Sequence, residues 1–152
     1  MLPILAGCGG SGHSNQPAVR VDGSGYGFTV PAGWKVARGA RGIEASKGAD
    51  LVRIATFPLV HAYRDGLFDA VESELAARMR VLASESGGKL SPASTVTVDG
   101  MRSHSYTVDD GGNVDRYTFV LRGKREFLLI CRRRSSDGDA ACRQLLASFH
   151  VA

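Results

Sequence analysis

The stretch Ser103-His104-Ser105 sets a histidine between two hydroxyls, the residue types that a serine hydrolase uses as base and nucleophile. The three residues alternate along a predicted strand, which turns His104 away from both serines, and no G-x-S-x-G elbow occurs. Ser105 and Asp115 are the neighbours His104 would need across the sheet, and His104 is read as a half-exposed strand histidine. His13, His61 and His150 are scattered, without the i, i+4 pairing of a helical metal site. Asp109-Asp110, Asp137 and Asp139 fit turn and cap chemistry, and "DGDAAC" lacks the calcium-loop pattern with its closing glutamate. "GSGYG" precedes a strand and has no following Gly-Lys-Ser/Thr, so no phosphate cradle is indicated. The expectation is a non-enzyme: no catalytic residue, no cofactor and no metal.

The cysteines carry more chemistry. Leu5-Ala6-Gly7-Cys8 matches the bacterial lipobox, in which the thiol receives a diacylglyceryl group before the upstream peptide is removed. Residues 1–7 then read as the remnant of a lipoprotein signal peptide, Met1 to Ala6 being shorter than a secretory h-region. Residues 8–25 read as the lipidated Cys8 and a flexible tether, because Gly9 to Gly25 is Gly/Ser-rich and nearly devoid of apolar residues. With Cys8 assigned to lipid, Cys131 and Cys142 form an even pair, as an oxidising compartment favours. Cys131 lies in the strand-like "REFLLICRRR", and Cys142 shares a helical face with Leu145, Leu146 and Phe149. A disulfide closing so short a loop adds roughly 2 to 3 kcal/mol.

A chain of 152 residues with 43% hydrophobic and 22% charged content suits one globular domain, residues 26–152 here. No apolar run approaches the roughly 18 to 20 residues of a membrane span. The net charge of +4 falls short of a nucleic-acid binder's basic stripe, so no nucleic acid is expected as partner. The basic segments "RGKRE" and "CRRRSS" read as solvated strand ends.

These residues need elements to position them. "GYGFTVPAGW", "GIEAS" and "LVRIATF" predict three strands. Leu67, Phe68, Val71, Leu75, Met79 and Leu82 predict an amphipathic helix, with Asp65 as N-cap and Gly87-Gly88 as stop. "STVTV" and "MRSHSYTV" join through Asp99-Gly100, a type I′ pair; "DDGGN" leads to "VDRYTFVLR", and Gly123-Lys124 turns into "REFLLICRR". In that last strand Phe127, Leu129 and Cys131 point one way, Leu128 and Ile130 the other, so both faces need cover. The predicted fold class is α+β, an α/β/α sandwich with a central antiparallel β-sheet and two principal helices.

The Phe28, Pro31, Trp34 pattern, the central helix, the β-meander and the closing "FLLIC" and "DAACRQLLASFHV" segments resemble the PsbP-like superfamily, which includes LpqN-type lipoproteins. The resemblance implies an α/β/α sandwich and non-catalytic work in assembly or binding. The expected protein is an extracytoplasmic lipoprotein of the bacterial cell envelope, anchored to the lipid membrane through N-terminal acylation, acting as a binding or assembly module for a protein partner. A carrier of a small apolar ligand is the alternative, which needs an enclosed cavity of about 300 Å³ or more between sheet and helix. A hydrolytic enzyme comes third.

Overall fold

The computed structural model describes residues 17–152; Cys8 and the first half of the Gly/Ser-rich run lie outside them. Hairpins dominate the chain. β1 (Val19–Gly23) pairs antiparallel with β2 (Tyr26–Val30), placing Val21 opposite Phe28. β1 falls within the stretch expected to be tether: burial of Val21 against the core and the tight Ser24-Gly25 turn make it a strand, so the folded domain begins before residue 26.

β3 (Lys35–Gly39), β4 (Gly42–Lys47) and β5 (Asp50–Tyr63) follow as a meander. The chain then enters α1 (Phe68–Ser86) through one 3-10 turn at Asp65–Leu67. That turn displaces the helix start, so Asp65 is not the N-cap; its carboxylate meets Arg102 at 2.9 Å. Gly87 ends α1 in the left-handed conformation, as its position predicts. β6 (Lys89–Leu90) and β7 (Ser94–Val98) both line the outer edge of β8 (Met101–Asp109). Asp99 and Gly100 both have positive φ, 49° and 74°, the geometry of the expected type I′ turn.

β9 (Asn113–Arg134) is continuous extended backbone of 22 residues, which run straight would measure about 70 Å. Its ends nevertheless meet: Arg132 Nε lies 2.8 Å from Asp115 Oδ1, and Ser135 N–H donates to Gly112 O at 3.0 Å. The strand therefore doubles back at Gly123, whose φ of 57° is cheap only for glycine. Its first arm pairs with β8 and its second with β5. The main sheet runs β3-β4-β5-β9-β8-β6 with β7 also on β8, all antiparallel.

After α2 (Ala140–Ser148), β10 (His150–Val151) completes a small sheet, β1-β2-β10. The fold is α+β with a central sheet and a helix on each side. Leu128 and Ile130 meet Leu75, Met79, Tyr106 and Phe119 beneath α1. Phe127, Leu129 and Cys131 meet Val52, Ile54, Leu145 and Phe149 beneath α2 and the small sheet. The second cover is thus a short helix and a sheet together.

Candidate functional site

A cavity of about 340 Å³ opens at one end of the main sheet, between β5, β9 and the start of α2. Strand alternation supplies its floor: Val52 on β5 stands opposite Cys131 on β9, and both point toward α2. The Pro31-to-Trp34 turn, with Gly33 at φ 83°, lays Pro31 and Trp34 on one wall. Val114, Ala140 and Ala141 add apolar surface.

Cys131 and Cys142 form the expected disulfide, with Cα atoms 5.5 Å apart. Both are buried, and both line the cavity. The bond joins the second arm of β9 to the first turn of α2, so the helix that roofs the cavity is fixed to its floor.

The polar groups of the wall divide into engaged and free. Arg132 makes two hydrogen bonds to the Asp115 carboxylate, 2.8 and 2.9 Å, which hold its guanidinium proton more tightly than usual. Arg133 Nη1 donates to the carbonyls of Arg134, Ser135 and Asp137, shaping the loop that leads into α2. Arg133 is half-buried, while Arg132, Arg134, Ser135 and Ser136 are exposed, as expected of a solvated strand end. Asp139 pairs with Arg143. Arg116 is half-buried and takes no part in the ion pairs among the described residues. Asp50 Oδ1 is buried with no hydrogen-bond partner.

The residues singled out by sequence do not converge. His104 is buried, not half-exposed: its ring stacks on Phe68 at 3.9 Å between centroids, and its Nε2 lies 2.8 Å from Phe68 O. Ser105 points to the opposite face, its hydroxyl 2.9 Å from that of Thr118. Asp115 pairs with Val108, four residues along β8 from His104, and is occupied by Arg132. His61 is exposed on β5, and His150 Nδ1 lies near Ser148 O on β10. Cys8 and His13 lie outside the described residues. Among the described residues, no three His, Cys, Asp or Glu side chains are grouped to hold a metal ion.

Trp34, Asp50 and Arg116 were not legible as a site. One signal existed: in "VDRYTFVLR", Arg116 shares the phase of Thr118 and Val120, both fully buried, so the pattern sets a cation on the inward face. A second depression, lined by Tyr63, Asp65, Arg102 and Arg122, is less informative, because Arg102 is paired with Asp65 and Arg122 with Asp99.

No family model and no curated protein matches the chain. A structure from Bacteroides thetaiotaomicron VPI-5482, solved at 1.50 Å, is similar to it, with a TM-score of 0.58 at 12% identity over 88% of this chain and 48% of that one. The chain thus spans about half the length of that protein, and the likeness is one of fold.

Proposed function

We propose that this protein is a bacterial envelope lipoprotein, held to the membrane by acylated Cys8, whose domain binds a small ligand with an apolar body and does no chemistry on it. The observation that carries the binding role is the cavity of about 340 Å³ between sheet and α2, within the size range of small-molecule sites and walled largely by Trp34, Pro31, Val52, Val114 and the disulfide. The rival role, a protein-recognition face, would be favoured by a contiguous apolar patch. Among the described residues, the exposed large apolar side chains are Val19, Val36, Val60, Leu67 and Val81, one on each of five segments. Membership of the PsbP-like superfamily is part of the same proposal, supported by Phe28 in the core and Pro31 and Trp34 on the cavity wall.

Trp34 is the chain's single tryptophan, so its emission reports on the cavity. Titration with the neutral probe 3-phenylpropanamide should give a saturable change in that emission, and Val114→Phe, which fills the cavity, should abolish it. An unsaturable response, or one that survives Val114→Phe in a folded protein, overturns the role. Anchoring is tested separately: Cys8→Ser, expressed behind a complete lipoprotein leader, should leave the membrane fraction, and full retention there rules the anchor out.

A further inference from the structure

Two charged groups on the inward wall of the cavity, Asp50 and Arg116, have opposite sign and no ion-pair partner among the described residues, and from them we infer that its ligand is a zwitterion with an apolar body, the chemistry of a free apolar α-amino acid. This rests on the binding role proposed above. A buried carboxylate oxygen without a donor is costly, about 1 to 3 kcal/mol or more, and native structures rarely leave one unmatched. Asp50 Oδ1 is such an oxygen, and it belongs to the cavity wall. Across the cavity stands Arg116, whose guanidinium offers five donors and has no carboxylate within ion-pair distance among the described residues. The other charges nearby are occupied: Arg132 by Asp115, Asp139 by Arg143, Arg133 by three backbone carbonyls. Asp137 stands exposed at the mouth.

A simple anion would satisfy Arg116 and leave Asp50 facing a second negative charge. A simple cation would satisfy Asp50 and be repelled by Arg116 and Arg133. An ammonium at Asp50 with a carboxylate at Arg116 satisfies both. The second arm of β9 lies between the strands that bear them, two strand spacings, and Arg116 stands level with Val52, two residues along β5 from Asp50, so their backbones are about 12 Å apart. An aspartate and an arginine reaching inward from that separation leave room for a group only a few ångströms long. The apolar side chain then lies against Trp34, Pro31 and Val52.

Isothermal titration of the full chain at neutral pH with four probes of one shape tests this: L-phenylalanine, 3-phenylpropanoate, 2-phenylethylamine and neutral 3-phenylpropanamide. L-phenylalanine should bind at least about tenfold tighter than any of the others, about 1.4 kcal/mol. Asp50→Asn should erase its advantage over 3-phenylpropanoate, and Arg116→Gln its advantage over 2-phenylethylamine, while Arg116→Lys retains part of it. Circular dichroism melts verify that each variant is folded. If the carboxylate or the amine alone binds as tightly as L-phenylalanine, or neither substitution changes the order, the zwitterion assignment is wrong. If the neutral amide binds and L-phenylalanine gains nothing, that assignment fails while the cavity's binding role stands. If no probe binds, both fail.

Discussion

On the second arm of β9, Leu128 and Ile130 face α1, while Phe127, Leu129 and Cys131 face α2 and the small sheet. The two faces come from one alternating run, yet they are closed differently. α1 has 19 residues and is about 28 Å long, enough to lie along the β8 and β9 arms. Its face engages its buried polar groups: His104 with Phe68 O, and Glu126 with Arg78 through hydrogen bonds of 2.8 and 2.9 Å. The hydroxyl of Tyr106 is the exception. α2 has 9 residues, about 14 Å, and cannot reach the end of the sheet. On that side a disulfide fixes the short helix, and the uncovered end is the cavity with Asp50 and Arg116. A sheet with a complete cover is all core, whereas one covered short leaves a cavity at its end.

The largest test of this contrast is within one strand. Phe127 is fully buried and meets the rings of Tyr26 and Phe149 edge-on, 5.8 and 5.5 Å between centroids. Phe127→Ala should lower unfolding free energy by about 3 to 5 kcal/mol in chemical denaturation. Its neighbour Leu128, half-buried on the α1 side, should cost clearly less as Leu128→Ala. Equal losses would mean that the two faces contribute alike, against the contrast.

Next in size is the disulfide. Replacing Cys131 and Cys142 by serine opens a loop of sequence separation 11 and should cost about 3 kcal/mol. The locus matters more than the sum: amide exchange should quicken in α2 and stay unchanged in α1. Quickening of both helices together would show that the faces are not independently closed.

The disulfide was legible because an even pair of cysteines sat on a strand and on the apolar face of a helix. The alternation of Phe127 to Cys131 was legible for the same reason: a period-2 pattern survives without tertiary context. β3 was not, since all five of its residues are exposed and its pairing comes from hydrogen bonds to β4. β1 was hidden in a Gly/Ser-rich run where Val19 and Val21 alone mark a strand. Of the cavity only the turn at Gly123 and the inward phase of Arg116 were legible: Trp34, Asp50, Arg116 and Cys142 meet because α2 stops short, and no local pattern encodes that length.

A smaller effect belongs to the α1 face. Glu126 is buried and takes both nitrogens of the partly exposed Arg78, which also sits 5.1 Å above the Phe119 ring. That hydrogen bonding holds the Arg78 proton more tightly than usual, led by Glu126 itself. Glu126→Gln keeps the shape and removes the charge, and after allowance for solvent screening at Arg78 it should cost about 1 to 2 kcal/mol. The change should leave Trp34 emission unaltered, because Trp34 lies on the other face; an altered spectrum would tie the two faces together.

The smallest effect is a pH dependence at the turn between β8 and β9. Asp110 Oδ1 accepts the N–H groups of Asn113 at 2.6 Å and Gly112 at 2.9 Å, and these bonds, that from Asn113 foremost, hold its carboxyl below the ordinary value of 3.8. A carboxylate depressed in the folded state stabilises the fold above its unfolded pKa and loses that contribution as pH falls through the folded value. Asp110→Asn keeps an acceptor for the turn but cannot titrate, so its melting temperature should lie slightly below the parent's at pH 6. The gap should close as pH drops below about 3.8, the unfolded reference. A gap that stays constant down to pH 2 would assign the difference to turn geometry instead of charge. Gly112 O also accepts the N–H of Ser135 at the start of the loop into α2, so this turn braces the rim of the cavity. Any exchange change that accompanies acidification should therefore start in residues 135–142 and spare α1.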